Sequence, residues 1–312
     1  MVISSSRSRC GSPGRQPSQD QEHRYRTGAA DSYGNHDTEP SGTARELGFR
    51  SVEFDAKVPN TARMWNYWLG GKDNFAADRE AGDRVIEALP TMPMVAWWAR
   101  RVLVDVVQRL VTVHGVRQFL DIGSGLPTAD NTHEVAQRAA PDARVVYVDH
   151  DPVVLSHARA LLTSSRDGKT DYLQADLRDT RTIVEGAAQT LDFGQPIAVL
   201  LIAVLHFIPD ADDPNAVVRR LMDAVPSGSY LVVGHGASDI EPAAAAELNQ
   251  RYNAMSPTKI RLRSKAEILP FFDGLEMTGR GLVPLSQWFD AEPTDIDTAR
   301  GLVGHVGIAR KP

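Results

Sequence analysis

The stretch that most constrains the fold is residues 119–128, FLDIGSGLPT, near the middle of the chain. Its first four residues are mostly apolar, which is typical of a buried strand. Gly123 and Gly125 follow, and glycine permits positive φ angles and a close approach of a ligand to the backbone. A helical pattern begins after Asn131, a good N-cap residue. The stretch therefore predicts a strand, a glycine turn and a helix whose N-terminus can face a ligand.

A second apolar strand ends in an acidic residue about twenty residues after these glycines. Residues 144–148, RVVYV, form this strand and Asp149 ends it. In nucleotide-binding α/β folds an acid at this position accepts hydrogen bonds from the ribose hydroxyls. A strand-end turn or a helix cap is the structural alternative for Asp149. The order of strand, glycine turn, helix, strand and acid favours the nucleotide site.

Apolar segments and helical patterns alternate along most of the remaining chain. This alternation predicts a Rossmann-like, doubly wound parallel sheet with helices on both faces. After the first two strands, further strands are predicted over residues 171–175, 197–203, 229–233, 275–285 and 304–310. The α/β domain is expected to span residues 116–312.

The chain before this domain divides into two parts. Residues 1–50 are rich in Ser, Gly, Arg, Asp and Gln and nearly free of large aliphatic residues, so we predict a disordered tail. Residues 51–115 carry helical periodicity without a strand signal. They predict a helical N-terminal region that precedes the sheet.

Composition excludes several classes of function. The net charge of −6 and the lack of a basic, aromatic patch disfavour binding to nucleic acid. The single cysteine excludes an internal disulfide framework and a cysteine-rich zinc site. The acids at positions 210, 212 and 213 precede a proline and are expected to cap a helix, so no metal is predicted.

No apolar run or secretory signal points to a membrane, and we therefore expect a cytoplasmic protein. The sequence leaves the oligomeric state open.

Several motifs resemble known methyltransferases. The segment LDIGSG, with Asp121 two residues before the first glycine, resembles the first motif of class I S-adenosylmethionine-dependent methyltransferases. Three longer stretches resemble a narrower bacterial family, the S-adenosyl methyltransferases of unknown substrate. They are NYWLGGKDNF at 66–75, GLPT at 125–128 and AVLHFIPD at 203–210. Pro127 replaces the usual third glycine of the class, which stiffens the loop and removes one N–H donor.

The resemblance implies a cofactor and a set of residues that bind it. It implies a mostly parallel seven-stranded sheet with an antiparallel last strand, and S-adenosyl-L-methionine as cofactor. It also implies that Asp176 meets the adenine amino group, for which an N-cap or a surface turn is the alternative. Ligands of open α/β sheets bind at the carboxyl ends of the strands. The cofactor-binding residues predicted there are Asp121, Gly123, Ser124, Gly125, Asp149, His150, Asp176, Leu177, Ala203 and Val204.

Residues for catalysis and substrate binding are predicted at two further places. His206 follows the fourth strand and is the candidate general base. A packed histidine, or one that frames the adenine, is the alternative. The aromatic and polar stretch at residues 67–74 predicts a lid over the site, although helix packing and a solvated Gly-Gly turn would also explain it. The predicted lid or substrate residues are Arg63, Tyr67, Trp68, Lys72, Asn74 and His235.

The resemblance therefore implies methyl transfer from S-adenosylmethionine, and we expect a small-molecule acceptor. A non-catalytic or regulatory protein that binds S-adenosylmethionine is the alternative. A nicotinamide-dependent oxidoreductase is disfavoured, because the third glycine of the dinucleotide motif is missing and the sheet is predicted to end in a strand pair.

Overall fold

The structure is a computed structural model that describes residues 55–161, 164–289 and 303–312. The predicted tail at residues 1–50 lies outside the described residues. Three helices come first, in the region where the sequence predicts helical periodicity without strands. They are α1 (Thr61–Trp68), α2 (Ala76–Ala88) and α3 (Met92–Thr112).

Strands and helices then alternate to form one sheet. The strands are β1 (Gln118–Ile122), β2 (Arg144–Asp149), β3 (Lys169–Gln174), β4 (Ala198–Ile202), β5 (Tyr230–Gly236), β6 (Glu276–Met277), β7 (Val283–Pro284) and β8 (Gly304–Arg310). Their order is β3-β2-β1-β4-β5-β8-β6, and β7 also pairs with β8. The first five strands are parallel and β8 is antiparallel to β5. This arrangement confirms the predicted Rossmann-like sheet with an antiparallel last strand.

Helices cover both faces of the sheet because successive strand residues point to opposite sides. Leu120 and Val199 pack with α6 and α7, whereas Phe119 and Leu200 pack with α3 and α4. The helices of this part are α4 (Thr132–Ala139), α5 (Pro152–Leu161), α6 (Thr180–Ala187), α7 (Pro214–Ala224), α8 (Pro242–Met255) and α9 (Lys265–Ile268). Among the described helices, none has the length and apolar character that a membrane span requires.

A third hydrophobic core, in addition to those on the two faces of the sheet, joins the N-terminal helices to the C-terminal part of the chain. Met64 of α1 and Val85 of α2 are fully buried in it, together with Leu248 and Tyr252 of α8. These contacts hold the helices α1, α2 and α3 beside the carboxyl edge of the sheet. There, α1 and α3 also contribute residues to the cavity described below.

The structure differs from the single strand predicted over residues 275–285. This part of the chain forms two strands, β6 and β7, each of two residues, so the sheet has eight strands instead of the predicted seven. Gly279 and Gly281 lie between them with φ angles of 59° and 72°. These left-handed conformations interrupt extended backbone, which explains why one continuous strand does not form.

Candidate active site

A cavity of about 620 Å³ lies at the carboxyl ends of β1 to β4, and residues of α1 and α3 form its opposite wall. All ten residues that the sequence predicts to bind the cofactor line this cavity. The strands are parallel, so their carboxyl ends and the loops that follow meet at the same edge of the sheet. Residues far apart in sequence are thereby brought to one concave surface.

The glycine loop after β1 has two glycines with different roles. Gly123 has a φ of 76°, and a Cβ atom placed on it would lie 2.5 Å from Cγ2 of Val204. Gly125 has a φ of 66°, but nothing lies within 4 Å of the corresponding Cβ position. Packing against the loop after β4 therefore requires glycine at position 123. At position 125 the backbone is left open for a ligand.

Asp149 connects the end of β2 to the glycine loop. Its Oδ2 accepts a hydrogen bond from the amide of Gly125 at 3.0 Å, and its Oδ1 accepts one from the amide of Asp151 at 3.0 Å. A carboxylate oxygen has two acceptor positions, so each oxygen can accept one further bond. Burial raises the pKa of Asp149 above its ordinary value, although these two amides act in the opposite direction.

Asp121, near the end of β1, is a second buried carboxylate in the same cavity. Thr132 Oγ1, at the start of α4, donates a hydrogen bond to its Oδ2 at 2.6 Å. Burial raises the pKa of Asp121 to about 6, while Thr132 and Arg100 favour the charged form. Neither Asp121 nor Asp149 forms an ion pair with an arginine or lysine among the described residues. The cavity therefore contains buried negative charge that a cationic ligand group would neutralise.

Arg100, in the middle of α3, brings a cation into the cavity. Its Nη2 donates to the carbonyl oxygen of Ala129 at 3.0 Å and to Oδ1 of Asn131 at 3.1 Å. Burial lowers its pKa, and the negative charge of Asp121 acts in the opposite direction. In the described part of the chain Arg100 forms no ion pair closer than 4 Å. Its guanidinium group is therefore able to bind an additional anionic ligand group.

Arg100 is not among the residues predicted from the sequence, although the sequence contains one signal for it. Ala96, Leu103 and Val107 are buried on the same face of α3, four residues before Arg100 and three and seven after it. A single arginine in an apolar helical stripe is unusual, because a buried charge needs a partner. That pattern could have indicated a residue that faces a polar cavity instead of solvent.

Asp176 and His150 lie at the rim of the cavity. Asp176 forms an ion pair with Arg178 at 2.5 Å, and the hydrogen bonds from Arg178 lower the pKa of the carboxyl group. Asp179, not Asp176, caps α6, because its carboxylate accepts a hydrogen bond from the amide of Thr182. The N-cap alternative for Asp176 is therefore wrong.

Of the six predicted lid or substrate residues, Arg63 lines the cavity and the other five do not. Tyr67 donates its hydroxyl hydrogen to Asp83 at 2.6 Å, and Trp68 packs between α1 and α2. Lys72 is exposed, and Asn74 donates to Oδ1 of Asn66 at 2.9 Å. Asn66 itself lines the cavity, so the predicted lid segment is attached to the cavity wall through this side chain.

A second, smaller cavity of about 90 Å³ adjoins the first. The two share the wall residues Trp65, Ala99, Ile202, Ala203 and Phe207. The candidate general base His206 and the predicted substrate residue His235 line this smaller cavity and not the larger one. Burial holds the pKa of His206 well below its ordinary value and lowers that of His235 to about 4. Both imidazoles are therefore neutral at pH 7.

Ala203 stands at the boundary of the two cavities in a strained backbone conformation. It follows β4 with a φ of 57°, a value that residues with a Cβ atom rarely adopt. Its amide donates a hydrogen bond to the carbonyl oxygen of Gly234 at 2.8 Å, which ties the turn to β5. Backbone strain of this kind is concentrated at functional sites.

Comparisons with known proteins agree on one family. A family model described as S-adenosyl methyltransferase matches residues 48–312. A solved structure of a DUF574 family protein from Streptomyces avermitilis is 38% identical, with a TM-score of 0.78, covering 83% of this chain and 99% of that one. A solved structure of a putative methyltransferase from Thermobifida fusca is 36% identical, with a TM-score of 0.75, covering 87% and 99% respectively. No curated protein matches the chain.

Proposed function

The chain belongs to the S-adenosyl methyltransferase family, and from that premise we propose that it transfers a methyl group from S-adenosylmethionine to a small-molecule acceptor. The observation that carries the proposal is the pair of buried carboxylates, Asp121 and Asp149, at the ends of neighbouring parallel strands beside the glycine loop. A cofactor with positively charged sulfonium and ammonium groups compensates the charge of Asp121, and its ribose hydroxyls can donate hydrogen bonds to Asp149.

The residues of the larger cavity match the three parts of this cofactor. Asp149 has free acceptor positions for the ribose hydroxyls, and Asp176 at the rim can accept from the adenine amino group. Asp121 provides negative charge for the methionine ammonium group, and Arg100 provides positive charge for the methionine carboxylate. The cofactor, when bound, supplies a methyl group already activated by the sulfonium.

The protein's contribution is to orient the reactants and exclude water. The α1 and α3 helices cover the carboxyl edge of the sheet, and Asn66 and Arg63 form part of that cover. Arg63 is held in place by Asp78, with Nε and Oδ2 2.8 Å apart and both side chains buried. A rigid, partly enclosed cavity of this kind favours alignment of a nucleophile with the methyl group.

The experiment that tests this assignment compares two cofactor analogues and two arginine variants. S-adenosylhomocysteine carries the amino acid part of the cofactor, whereas 5′-methylthioadenosine lacks both its ammonium and its carboxylate. Arg100→Gln should weaken binding of S-adenosylhomocysteine by about tenfold or more, since a charge-assisted hydrogen bond contributes roughly 1.5–3 kcal/mol. It should leave the affinity for 5′-methylthioadenosine nearly unchanged.

Arg101→Gln is the matched control, because it removes the same charge from the adjacent, exposed residue. Arg101 lies over the ring of Trp97 and does not line the larger cavity. Calorimetry on both variants should show normal affinity for both ligands in the control. Equal weakening of the two ligands in Arg100→Gln, or none, would contradict the assignment of the amino acid end of the cofactor.

A further inference from the structure

We propose that the second cavity is the acceptor site, and that it takes a small, uncharged, mainly apolar molecule whose hydroxyl or N–H group donates a hydrogen bond to His206. This inference rests on the proposed methyl transfer and adds the class of acceptor to it. Three observations carry it: the shared wall of the two cavities, the apolar lining of the smaller one, and two buried histidine nitrogens without partners.

The position of the cavity suits an acceptor. A methyl group can move between two molecules only if the acceptor atom reaches the methyl carbon directly. Ala203 and Ile202, at the end of β4, line both cavities, as do Trp65 and Phe207. A molecule in the smaller cavity therefore lies next to a molecule in the larger one.

The lining of the smaller cavity disfavours a ligand that carries a charge. Among the described residues, no aspartate, glutamate, lysine or arginine lines the smaller cavity. Aliphatic and aromatic side chains form most of the wall, including Trp68, Leu248 and Val306. A charged group placed there would lose its hydration without gaining an ion pair. An uncharged acceptor loses far less, and this favours alcohols, phenols and azoles over carboxylates and amines.

The volume limits the size of the buried part. An apolar cavity of about 150 Å³ holds a benzene molecule. The cavity here measures about 90 Å³, so it accommodates a smaller group, or a ring whose reactive edge extends toward the larger cavity. The acceptor, or the end of it that enters, is therefore compact.

The histidines of the cavity differ in their free hydrogen-bonding capacity. His235 has none left, because its Nε2 accepts from Arg263 at 3.1 Å and its Nδ1 donates to the carbonyl oxygen of Gly236 at 2.8 Å. His305 uses Nε2 to donate to Asp239 at 2.8 Å. In the described part of the chain, Nδ1 of His305 and Nδ1 of His206 have no partner.

His206 is the residue best placed to meet the acceptor. Its side chain is buried, with 8% of its surface exposed, and it follows directly on the loop that lines both cavities. Burial lowers its pKa, so it is neutral and offers a lone pair. Buried polar atoms rarely lack a hydrogen-bond partner in native proteins. Nδ1 is enclosed by protein atoms, whereas Nε2 is not enclosed and has no hydrogen-bond partner among the described residues. A hydroxyl or N–H group of the acceptor would supply a partner at Nε2.

The test uses three probes on the full chain loaded with S-adenosylhomocysteine. Phenol carries a ring and a hydroxyl donor, benzene lacks the donor, and benzoate carries a charge. Saturation-transfer NMR should show binding of phenol, weaker binding of benzene by about two- to tenfold, and no binding of benzoate. The variant His206→Leu should remove the preference for phenol over benzene.

Two tryptophan variants of α8 locate the probe. Leu248→Trp fills the smaller cavity and should abolish the phenol signal, whereas Ala246→Trp, on the exposed face of the same helix, should retain it. Val85→Phe fills the cavity from α2 and replaces Leu248→Trp if that variant does not fold.

The outcomes separate the acceptor inference from the proposed function. Calorimetry with S-adenosylhomocysteine on the same samples reports on the larger cavity alone. If the parent protein does not bind S-adenosylhomocysteine, the proposed function is overturned. If it binds, but phenol does not bind or its signal survives in the folded cavity-filling variant, only the acceptor inference is overturned. Preferential binding of benzoate would also overturn it.

Discussion

The carboxylate of Asp149 accepts a hydrogen bond from the backbone amide of Gly125 at 3.0 Å. This contact joins the end of β2 to the glycine loop after β1, across 24 residues of sequence. One side chain thus holds the loop in shape and keeps free acceptor positions on a residue that lines the same cavity. A defect at this position should therefore affect ligand binding more than folding.

Asp149→Ala should weaken S-adenosylhomocysteine binding by roughly ten- to several-hundred-fold, because hydrogen bonds to a charged acceptor contribute about 1.5–3 kcal/mol each. His206→Ala, which alters the smaller cavity, should cost less affinity. Calorimetry on both variants, with circular dichroism as a check on folding, gives the comparison. A folded Asp149→Ala protein that binds as tightly as the parent would show that β2 does not contribute to the ribose site.

Asp121 should make stability fall as the pH rises from about 4 to about 6. Burial raises its pKa from 3.8 to about 6, so the folded state binds a proton more tightly than the unfolded state between these values. Asp121→Asn removes the loss of stability at higher pH, because the amide does not ionise. The asparagine can keep the hydrogen bond from Thr132. Its melting temperature should exceed that of the parent by a few degrees near pH 7.5 and by less near pH 4.

The same substitution should weaken S-adenosylhomocysteine binding, because the ligand's ammonium group loses a negative partner. Thermal melts across this pH range and calorimetry at about pH 7.5 measure the two effects separately. An Asp121→Asn protein that is less stable than the parent at every pH would contradict the assigned cost of burying this carboxylate.

The two glycines of the loop should respond differently to alanine. Gly123→Ala places a Cβ atom 2.5 Å from Val204 and should destabilise the fold by several degrees in melting temperature. Gly125→Ala meets open space, so its cost comes mainly from the left-handed backbone, about 1 kcal/mol. It should lower ligand affinity more than stability, because the new methyl group lies in the cavity. Equal thermal losses in the two variants would contradict this difference.

The segment of residues 66–74 should become more protected when ligand binds. Oδ1 of Asn66 accepts hydrogen bonds from the amide of Asp73 at 3.0 Å and from Asn74, while Asn66 itself lines the cavity. Ligand contact with this side chain should therefore slow hydrogen exchange in the segment. Exchange mass spectrometry with and without S-adenosylhomocysteine is the measurement. With binding confirmed, unchanged exchange over these residues would exclude the predicted lid.

The sequence predicted the features that depend on short stretches of chain. The glycine loop and Asp149 belong to a strand, a turn and a second strand, and local patterns determine such units. The topology of a parallel sheet then placed their side chains at one edge. Arg100 was missed because its role depends on how α3 packs against the sheet, which a helical pattern alone does not reveal.

Two other features required the tertiary structure. Tyr67 and Trp68 belong to a motif, but the packing of α1 against α2 turns them away from the larger cavity. His206 was predicted as a general base from its position after β4, and the structure places it in the smaller, apolar cavity. The relation between the two cavities depends on the strained turn at Ala203, whose φ of 57° no propensity would predict for alanine.

Calorimetric titration of the full chain with S-adenosylmethionine, S-adenosylhomocysteine and NADH tests the central claim most directly. The cavity that contains Asp121, Asp149 and Arg100 should bind the first two ligands in the micromolar range and should not bind NADH. Binding of NADH, or the absence of binding by both S-adenosyl compounds to the folded protein, would contradict the account.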